Sequence, residues 1–366
     1  MGVVVNVGGG TLVVEGPATV RVVSGSCDVL GCPLSGEFSI EEFRAVPIRG
    51  NCSLSIEGGV FRYFSEDTIP REWDSVDNLE GIALVIGGVD SGKTTLVTYL
   101  LNKYVTRGLG VCVVDADVGQ SSIGPPGVVG LSCIGLPTPS LDLLHMTAGY
   151  FVGCTSPSQC IGRFLSGVSV MVREALASRP ALVLVDMPGW VDAGGVELIR
   201  DVIDAVAADY VISIELNRRF QVQTIKLPRP RYVRARGPSE RRELRVRLLR
   251  RYLSNLRSFD VGLDRVLGNY IIECLAENCG EYVIDGGVDR VVRGGTVRVP
   301  PELLRNVFVG LYRRGFLVGF GIIREFDFRG GVAHALVTTE DFERAVAGRM
   351  RVDADSLEEL EPLPLS

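Results

Sequence analysis

Apolar and polar positions change rhythm twice along the chain. Residues 1 to about 75 carry short alternating runs broken by glycine, which predict strands at 3–7, 11–14, 19–23, 36–40, 52–56 and 60–63. Strands this short at regular spacing suit a small sandwich or barrel. The stretch Asp-Thr-Ile-Pro-Arg-Glu-Trp at 67–73 reads as a linker. From Gly81 the pattern becomes continuous apolar strands separated by helical segments. Strands are predicted at 82–86, 111–114, 181–185 and 210–214, with helices from the turn after 86 through Lys103, at 162–177 and at 196–207. Buried strands alternating with helices predict a parallel sheet covered on both faces. Residues 240–256 read as an arginine-studded helix. Beyond 257 the pattern loosens into a helix or two, then β segments at 281–284, 296–299, 307–311, 317–323 and 332–338. The expected organisation is a β-rich domain over 1–75, an α/β domain over 76–256 and a mixed, β-rich domain over 257–366.

Composition limits what such a chain does. With 366 residues and 46% apolar content it is too long for one ordinary domain and too apolar for disorder. No run approaches the roughly 20 apolar residues of a membrane helix, and the N-terminus lacks the basic region of a secretory signal. A soluble cytoplasmic protein without membrane association is expected. Histidine occurs only at His145 and His334, which leaves almost no material for a hydrolase triad or a histidine-rich metal site. Three lysines (Lys93, Lys103 and Lys226) stand against 35 arginines, so the place of each lysine carries information. The nine cysteines include no CxxC pair. Cys27/Cys32 and Cys274/Cys279 lack zinc-spaced partners, so buried thiols are the default. The arginine bias hints at a thermophile, which keeps a structural disulfide open. Net charge is −6, but eleven basic residues against Glu240 and Glu243 give +9 between Lys226 and Arg251, so the remainder carries −15. Such a segment on an acidic body suits either anion binding or a solvated helix face.

The chemistry is concentrated in Gly87-Gly88-Val89-Asp90-Ser91-Gly92-Lys93-Thr94-Thr95, a complete G-x-x-x-x-G-K-[ST] phosphate loop between an apolar strand and a helix. Its glycines let backbone N–H groups close around phosphates. Lys93 reaches the β/γ oxygens, and the Thr94 hydroxyl is placed to hold Mg²⁺. The predicted fold is therefore a P-loop NTPase. Asp186-Met-Pro-Gly189 resembles a GTPase switch, yet no N/T-K-x-D guanine signature follows, and ATP is the expected nucleotide. At the end of the strand after the loop stands Asp115-Ala-Asp117-Val-Gly-Gln120. Carboxylates there face the nucleotide cleft, where one organises Mg²⁺ or takes a proton from an attacking hydroxyl. Either aspartate could instead be a turn or capping residue.

Five motifs occur in order: Lys93-Thr94; Asp117-Val-Gly-Gln120 with its Pro-Pro-Gly; Gly153-Cys-Thr-Ser-Pro157; Met187-Pro-Gly-Trp190-Val-Asp-Ala-Gly-Gly195; and Arg236-Gly-Pro-Ser-Glu-Arg241-Arg-Glu-Leu-Arg245. Together they resemble the polynucleotide 5′-hydroxyl kinase family, the RNA kinases of tRNA splicing and ribosomal RNA processing. The resemblance spans roughly 85 to 253 and extends to the β-rich N-terminal piece. It implies transfer of the ATP γ-phosphate to the 5′-OH of an RNA or DNA end. It makes Asp117 the candidate general base or magnesium organiser, and Arg236 and Arg241 the arginines of a lid within 226–253. It makes Thr155 and Ser156 a clasp on the acceptor strand and Trp190 a platform for its terminal base, with Gln120 orienting a substrate group. A Ser-Pro turn is the competing assignment for Thr155 and Ser156, and a core tryptophan that for Trp190. RNA-processing proteins are implied as partners, and the oligomeric state is open. A non-catalytic ATP-binding adaptor and a partner-activated P-loop NTPase are the alternative functions.

Overall fold

The structure is a computed structural model that describes residues 2–268, 272–274, 283–284, 297–299, 304–327 and 330–363. The chain divides into two compact units. One comprises Met1–Asp117, Leu131–Thr147 and Val172–Glu240; the other comprises Val118–Gly130, Ala148–Met171 and Arg241–Ser366. Among the described residues no helix is long and apolar enough to cross a membrane.

The N-terminal part of the first unit is built from two long strands, β1 (Val3–Val29) and β4 (Ala45–Phe64), with the short β2 (Cys32–Pro33) and β3 (Glu37–Ile40) beside β1. Five of the six short strands expected from the sequence are segments of β1 and β4, and the one expected at 36–40 is β3. β1 is flanked twice by β4: Thr11 pairs with both Arg49 and Phe64, and Val14 with both Val46 and Phe61. Double flanking buries Leu12, Val14, Val20, Ile48 and Leu54 almost completely. The glycines that read as turns are bends inside continuous strands. At Gly50, with φ +130°, a Cβ would stand 2.4 Å from the Ser26 carbonyl oxygen, so no side chain fits between the ribbons.

The α/β portion follows the expected alternation. Its elements are β5 (Gly81–Gly87), α1 (Lys93–Val105), β6 (Val111–Asp115), β7 (Val128–Ile134), β8 (Ala148–Phe151), α2 (Ile161–Ala177), β9 (Leu182–Asp186), α3 (Ala193–Val206), β10 (Tyr210–Ile214), β11 (Gln223–Leu227) and α4 (Pro238–Tyr252). Five parallel strands of the first unit stand in the order β11-β10-β5-β9-β6. Strands β6 and β9 are buried along their whole length, as a sheet covered on both faces requires. Because β9 lies between β5 and β6, the crossover through α1 skips one position. The carboxyl ends of β5, β9 and β6 therefore flank the kind of crevice in which α/β sheets bind ligands. The polar edge strand β11 escaped the sequence pattern because its inward positions are only partly buried.

The stretch read as a linker is instead an anchor. Trp73 lies in a short 3₁₀ turn (Arg71–Ser75), is fully buried, donates from Nε1 to the Pro228 carbonyl at 2.9 Å, and packs edge-on against Tyr99.

The second unit is organised by an antiparallel sheet. Its strands are β12 (Arg257–Gly262), β13 (Val266–Gly268), β14 (Ile272–Cys274), β15 (Val283–Ile284), β16 (Val297–Val299), β17 (Val307–Arg313), β18 (Phe316–Asp327), β19 (Val332–Val337), β20 (Arg344–Val352) and β21 (Glu359–Leu360). The order is β12-β19-β18-β17-β20-β13, with β21 on β20 and β13 parallel to β20; β14, β15 and β16 form a separate small sheet. Residues 257–262 are a strand, not the expected helix, because they pair along their length with β19. The first residues of the predicted strands at 281–284 and 296–299, and Cys279 of the Cys274/Cys279 pair, lie outside the described residues. Segment 148–171 joins this unit through Phe151, whose N–H donates to the Tyr312 hydroxyl at 2.8 Å and whose ring meets Phe308 edge-on. Cysteines pair as Cys112–Cys133 and Cys154–Cys160, while Cys27, Cys32 and Cys52 are buried thiols.

Burial of Trp73 generates a prediction. Trp73→Ala removes a large packed side chain and leaves the Pro228 carbonyl without its donor, so it destabilises the first unit by about 3–5 kcal/mol. The check is the chemical-denaturation midpoint; an unchanged midpoint contradicts the anchoring role.

Candidate active site

The phosphate loop sits where β5 delivers it to α1. Gly87 packs so closely that a Cβ would meet the Ser91 hydroxyl at 2.6 Å and the Ile214 carbonyl at 3.1 Å. Gly92, with φ +94°, is the N-cap of α1, and a Cβ there would strike the Pro230 ring at 2.7 Å. Gly88 faces open space. The helix has no side-chain cap, so the first N–H groups of α1 remain for an anion. Lys93 is 7% exposed, and its ammonium donates to the Gly88 carbonyl at 2.9 Å.

Thr94 donates its hydroxyl to Asp186 Oδ2 at 2.7 Å. Asp186 ends β9, is 2% exposed, and has a second oxygen, Oδ1, buried without a hydrogen-bond partner. Burial pushes its pKa well above the ordinary carboxylate range. The neighbouring Asp115 charge adds to that push, whereas Lys93 and the Thr94 hydrogen bond oppose it. Asp115 stands level with Asp186 on the neighbouring strand and is equally buried. Its Oδ1 accepts the Asp117 backbone N–H at 3.1 Å, which fixes the turn that carries the half-buried Asp117. The sequence considered Asp186 only as part of a GTPase-like switch, and its place under the loop went unassigned. The available signal was an aspartate closing the apolar strand Leu-Val-Leu-Val-Asp.

Trp190 is half-buried and not a core residue. Its turn reaches the phosphate loop because Gly189 has no side chain: a Cβ there would stand 2.7 Å from Val89 Cγ2. Glycines also admit the indole itself, since a Cβ on Gly194 would meet the ring at 2.9 Å. Asp192 caps α3 by accepting the Gly195 N–H at 3.1 Å. That hydrogen bond, followed by one from Trp190, holds its carboxyl below the usual range.

Arg236 belongs to the same unit. Its N–H donates to Asp90 of the loop at 3.3 Å, and its Nε donates to the Phe43 carbonyl at 2.9 Å. The first unit thus brings together the phosphate loop, Asp117, Asp186, the Trp190 turn and Arg236. Gln120, Thr155, Ser156 and Arg241 belong to the second unit. There Gln120 donates to the Gly119 carbonyl, and Ser156 shares a 2.8 Å hydrogen bond with Ser158. The Thr155–Ser156 turn is seated on β20: the Met350 N–H donates to the Gly153 carbonyl at 2.9 Å, and Gly348 and Gly153 touch backbone to backbone. The Cys154–Cys160 disulfide closes the turn from its two ends.

The donor set fits a nucleotide with Mg²⁺. The Asp186 Oδ1 and Ser91 hydroxyl oxygens are buried without partners in and under the loop, next to the Thr94 hydroxyl. Among the described residues no group of three or more His, Cys, Asp or Glu stands in metal-holding geometry.

Comparisons with known proteins agree with this geometry. The family model described as the P-loop of mRNA cleavage and polyadenylation factor CLP1 matches residues 87–255. The polyribonucleotide 5′-hydroxyl-kinase of Pyrococcus furiosus is 33% identical over 314 residues, 75% of this chain and 88% of that protein. The corresponding protein of Pyrococcus abyssi is 30% identical over 339 residues, 81% of this chain and 96% of its own. The solved structure of wild-type Clp1p in complex with Pcf11p superposes with a TM-score of 0.71 over 95% of this chain and 97% of that one, at 15% identity, which identifies the fold. The chain belongs to the polyribonucleotide 5′-hydroxyl-kinase family and has its P-loop architecture.

Proposed function

We propose that the protein is an ATP-dependent polynucleotide 5′-hydroxyl kinase, transferring the γ-phosphoryl group of ATP to the 5′-OH end of a polynucleotide, RNA foremost. The observation that carries this proposal is the convergence of the glycine loop, Lys93, the Thr94–Asp186 pair and Asp117 at the ends of three adjacent strands. The names of the curated relatives support it.

In this mechanism the loop N–H groups and Lys93 hold the β/γ oxygens, and Lys93 leaves the Gly88 carbonyl to do so. The acceptor 5′-oxygen attacks the γ-phosphorus while the bond to the bridging β–γ oxygen breaks and ADP departs. The hydroxyl proton passes to the Asp117 carboxylate. Thr94, Asp186 and Asp117 would hold Mg²⁺, which when bound would supply charge neutralisation on the phosphates. Arg236 and Arg241 supply guanidinium forks to the transferring group, a task for which an ammonium is a poor substitute. Thr155 and Ser156 grip the acceptor strand, Gln120 orients its end, and Trp190 stacks on the terminal base. A non-catalytic adaptor has no use for a proton acceptor at Asp117. Since the solved Clp1p is bound to Pcf11p, an RNA-processing protein partner forms part of the proposal.

With γ-labelled ATP and a 5′-OH oligonucleotide, label is expected on the 5′ end; free phosphate without end-labelling overturns the proposal. Lys93→Ala lowers the transfer rate about 10²- to 10³-fold. Asp117→Asn lowers kcat about 10²- to 10⁴-fold with nucleotide binding retained; loss of nucleotide binding alone would make Asp117 a binding residue. Trp190→Ala removes stacking worth about 1–3 kcal/mol per base. It therefore raises KM for the oligonucleotide and leaves that for ATP unchanged, and a shift in the ATP constant alone removes the stacking role.

A further inference from the structure

Residues 228–237, which lead into α4, form no helix or strand, so side-chain contacts set their course. Those contacts run to the β-rich region of the same unit. Tyr232 donates its hydroxyl to Glu15 Oε1, and its ring meets that of Phe64 at 5.7 Å. Arg234 donates from Nε to Glu15 Oε2 at 3.0 Å and from Nη2 to Glu240 Oε1 at 2.8 Å. Glu240 is the third residue of α4, and its Oε2 accepts the Gly237 N–H at 2.8 Å, one half of a capping box. One carboxylate of β1 thus grips the segment at two side chains, and a second fixes the residue that follows Arg236.

The Arg234 guanidinium also lies over the Phe43 ring, at 5.3 Å. Phe43 has φ +62°, a left-handed conformation that a bulky residue adopts only where its surroundings impose it. Its carbonyl accepts from Nε of Arg236 at 2.9 Å, while the Arg236 N–H donates to Asp90 of the phosphate loop at 3.3 Å. The loop carrying Phe43 is held beside Glu15. The Gly16 N–H donates to the Arg44 carbonyl at 2.9 Å, and a Cβ on Gly16 would stand 2.1 Å from the Glu41 carbonyl oxygen. Glu15 and the Phe43 carbonyl therefore belong to one frame, and Arg236 is suspended between that frame and the phosphate loop. Arg234 holds its bridge with Nη1 buried and without a hydrogen-bond partner, a loss for which stability gives no reason. Catalysis gives one. A guanidinium assists a transferring phosphoryl group only when its fork is aimed, and a misplacement of about 1 Å can cost about 10²-fold in rate.

We propose that Glu15 is a positioning residue for phosphoryl transfer: through Arg234 and Tyr232 it sets the backbone from which Arg236 reaches the phosphate loop. The proposal rests on Arg236 acting on the transferring group, and it gives the β-rich region a part in that step.

The test is a double-mutant cycle on the full chain. Transfer from γ-labelled ATP to a 5′-OH oligonucleotide is measured for wild type, Glu15→Ala, Arg236→Ala and the double variant, together with the thermal midpoint of each. Glu15→Ala is expected to lower kcat about 10- to 10²-fold and to leave KM for the oligonucleotide unchanged. In the Arg236→Ala background the same substitution is expected to cost less than about twofold, because the side chain it positions is gone. Equal losses of rate in the two backgrounds make Glu15 a merely structural residue and overturn the proposal. Should Glu15→Ala fail to fold, Arg234→Lys keeps the charge but cannot fork between Glu15 and Glu240, and the same cycle decides: additive losses overturn the proposal, and losses that vanish without Arg236 support it. If Arg236→Ala is impaired while folded Glu15→Ala is not, the proposal alone fails. If Arg236→Ala transfers at the wild-type rate, the role of Arg236 fails and the proposal with it. A wild type that labels no acceptor marks the failure of the kinase function itself, which overturns both.

Discussion

A buried carboxylate with one unanswered oxygen is the constraint around which the first unit is arranged. Asp186 closes an apolar strand, and its charge has been taken out of water with one hydroxyl, from Thr94, as direct partner. Lys93 offsets part of that cost, and Asp115 on the next strand works against it. The unit keeps this arrangement because the strand order places the ends of β5, β9 and β6 side by side, and because Gly87, Gly92 and Gly189 let backbone approach where any side chain would collide. Stability alone would favour apolar residues at those strand ends. Retaining two aspartates and a lysine beneath an uncapped helix is the kind of local cost that folds bear at functional sites.

The basic segment takes on a different meaning once its partners are known. Of its eleven cations, Arg229, Arg231, Arg234, Arg245 and Arg247 meet carboxylates, several of them far away in sequence: Glu215, Glu66, Glu15 and Glu359. Part of the +9 counted along the chain is therefore a set of ion pairs that tie the segment to distant carboxylates. Arg234 shows the pattern well, bridging Glu15 of the β-rich region and Glu240 of α4 while its guanidinium lies over Phe43. Such exposed or half-exposed pairs contribute modestly one by one.

The parallel sheet and the phosphate loop were legible in the sequence because both depend on local patterns, namely continuous apolar runs and a fixed spacing of glycine and lysine. What escaped depends on contacts between distant residues. Bends at glycine inside β1 and β4 carry the same local signal as turns, so two long ribbons read as five short strands. Trp73 follows a proline among polar residues and reads as a linker; only the Pro228 carbonyl and Tyr99, brought up by the fold, bury it. Asp186 was visible as a residue but not as a partner of Thr94, 92 positions earlier. The disulfides join cysteines whose spacing carries no motif, whereas Cys27 and Cys32, with four residues between them, are not joined.

An enzyme that modifies strand ends must recognise an end without demanding a sequence, and the side chains assigned here to the acceptor meet that requirement by their chemistry. An indole face binds any base through stacking. Hydroxyls and guanidinium groups bind phosphate and sugar, which every nucleotide carries. Selectivity is then left to the feature that does vary among polynucleotide ends, whether the 5′ position is a free hydroxyl.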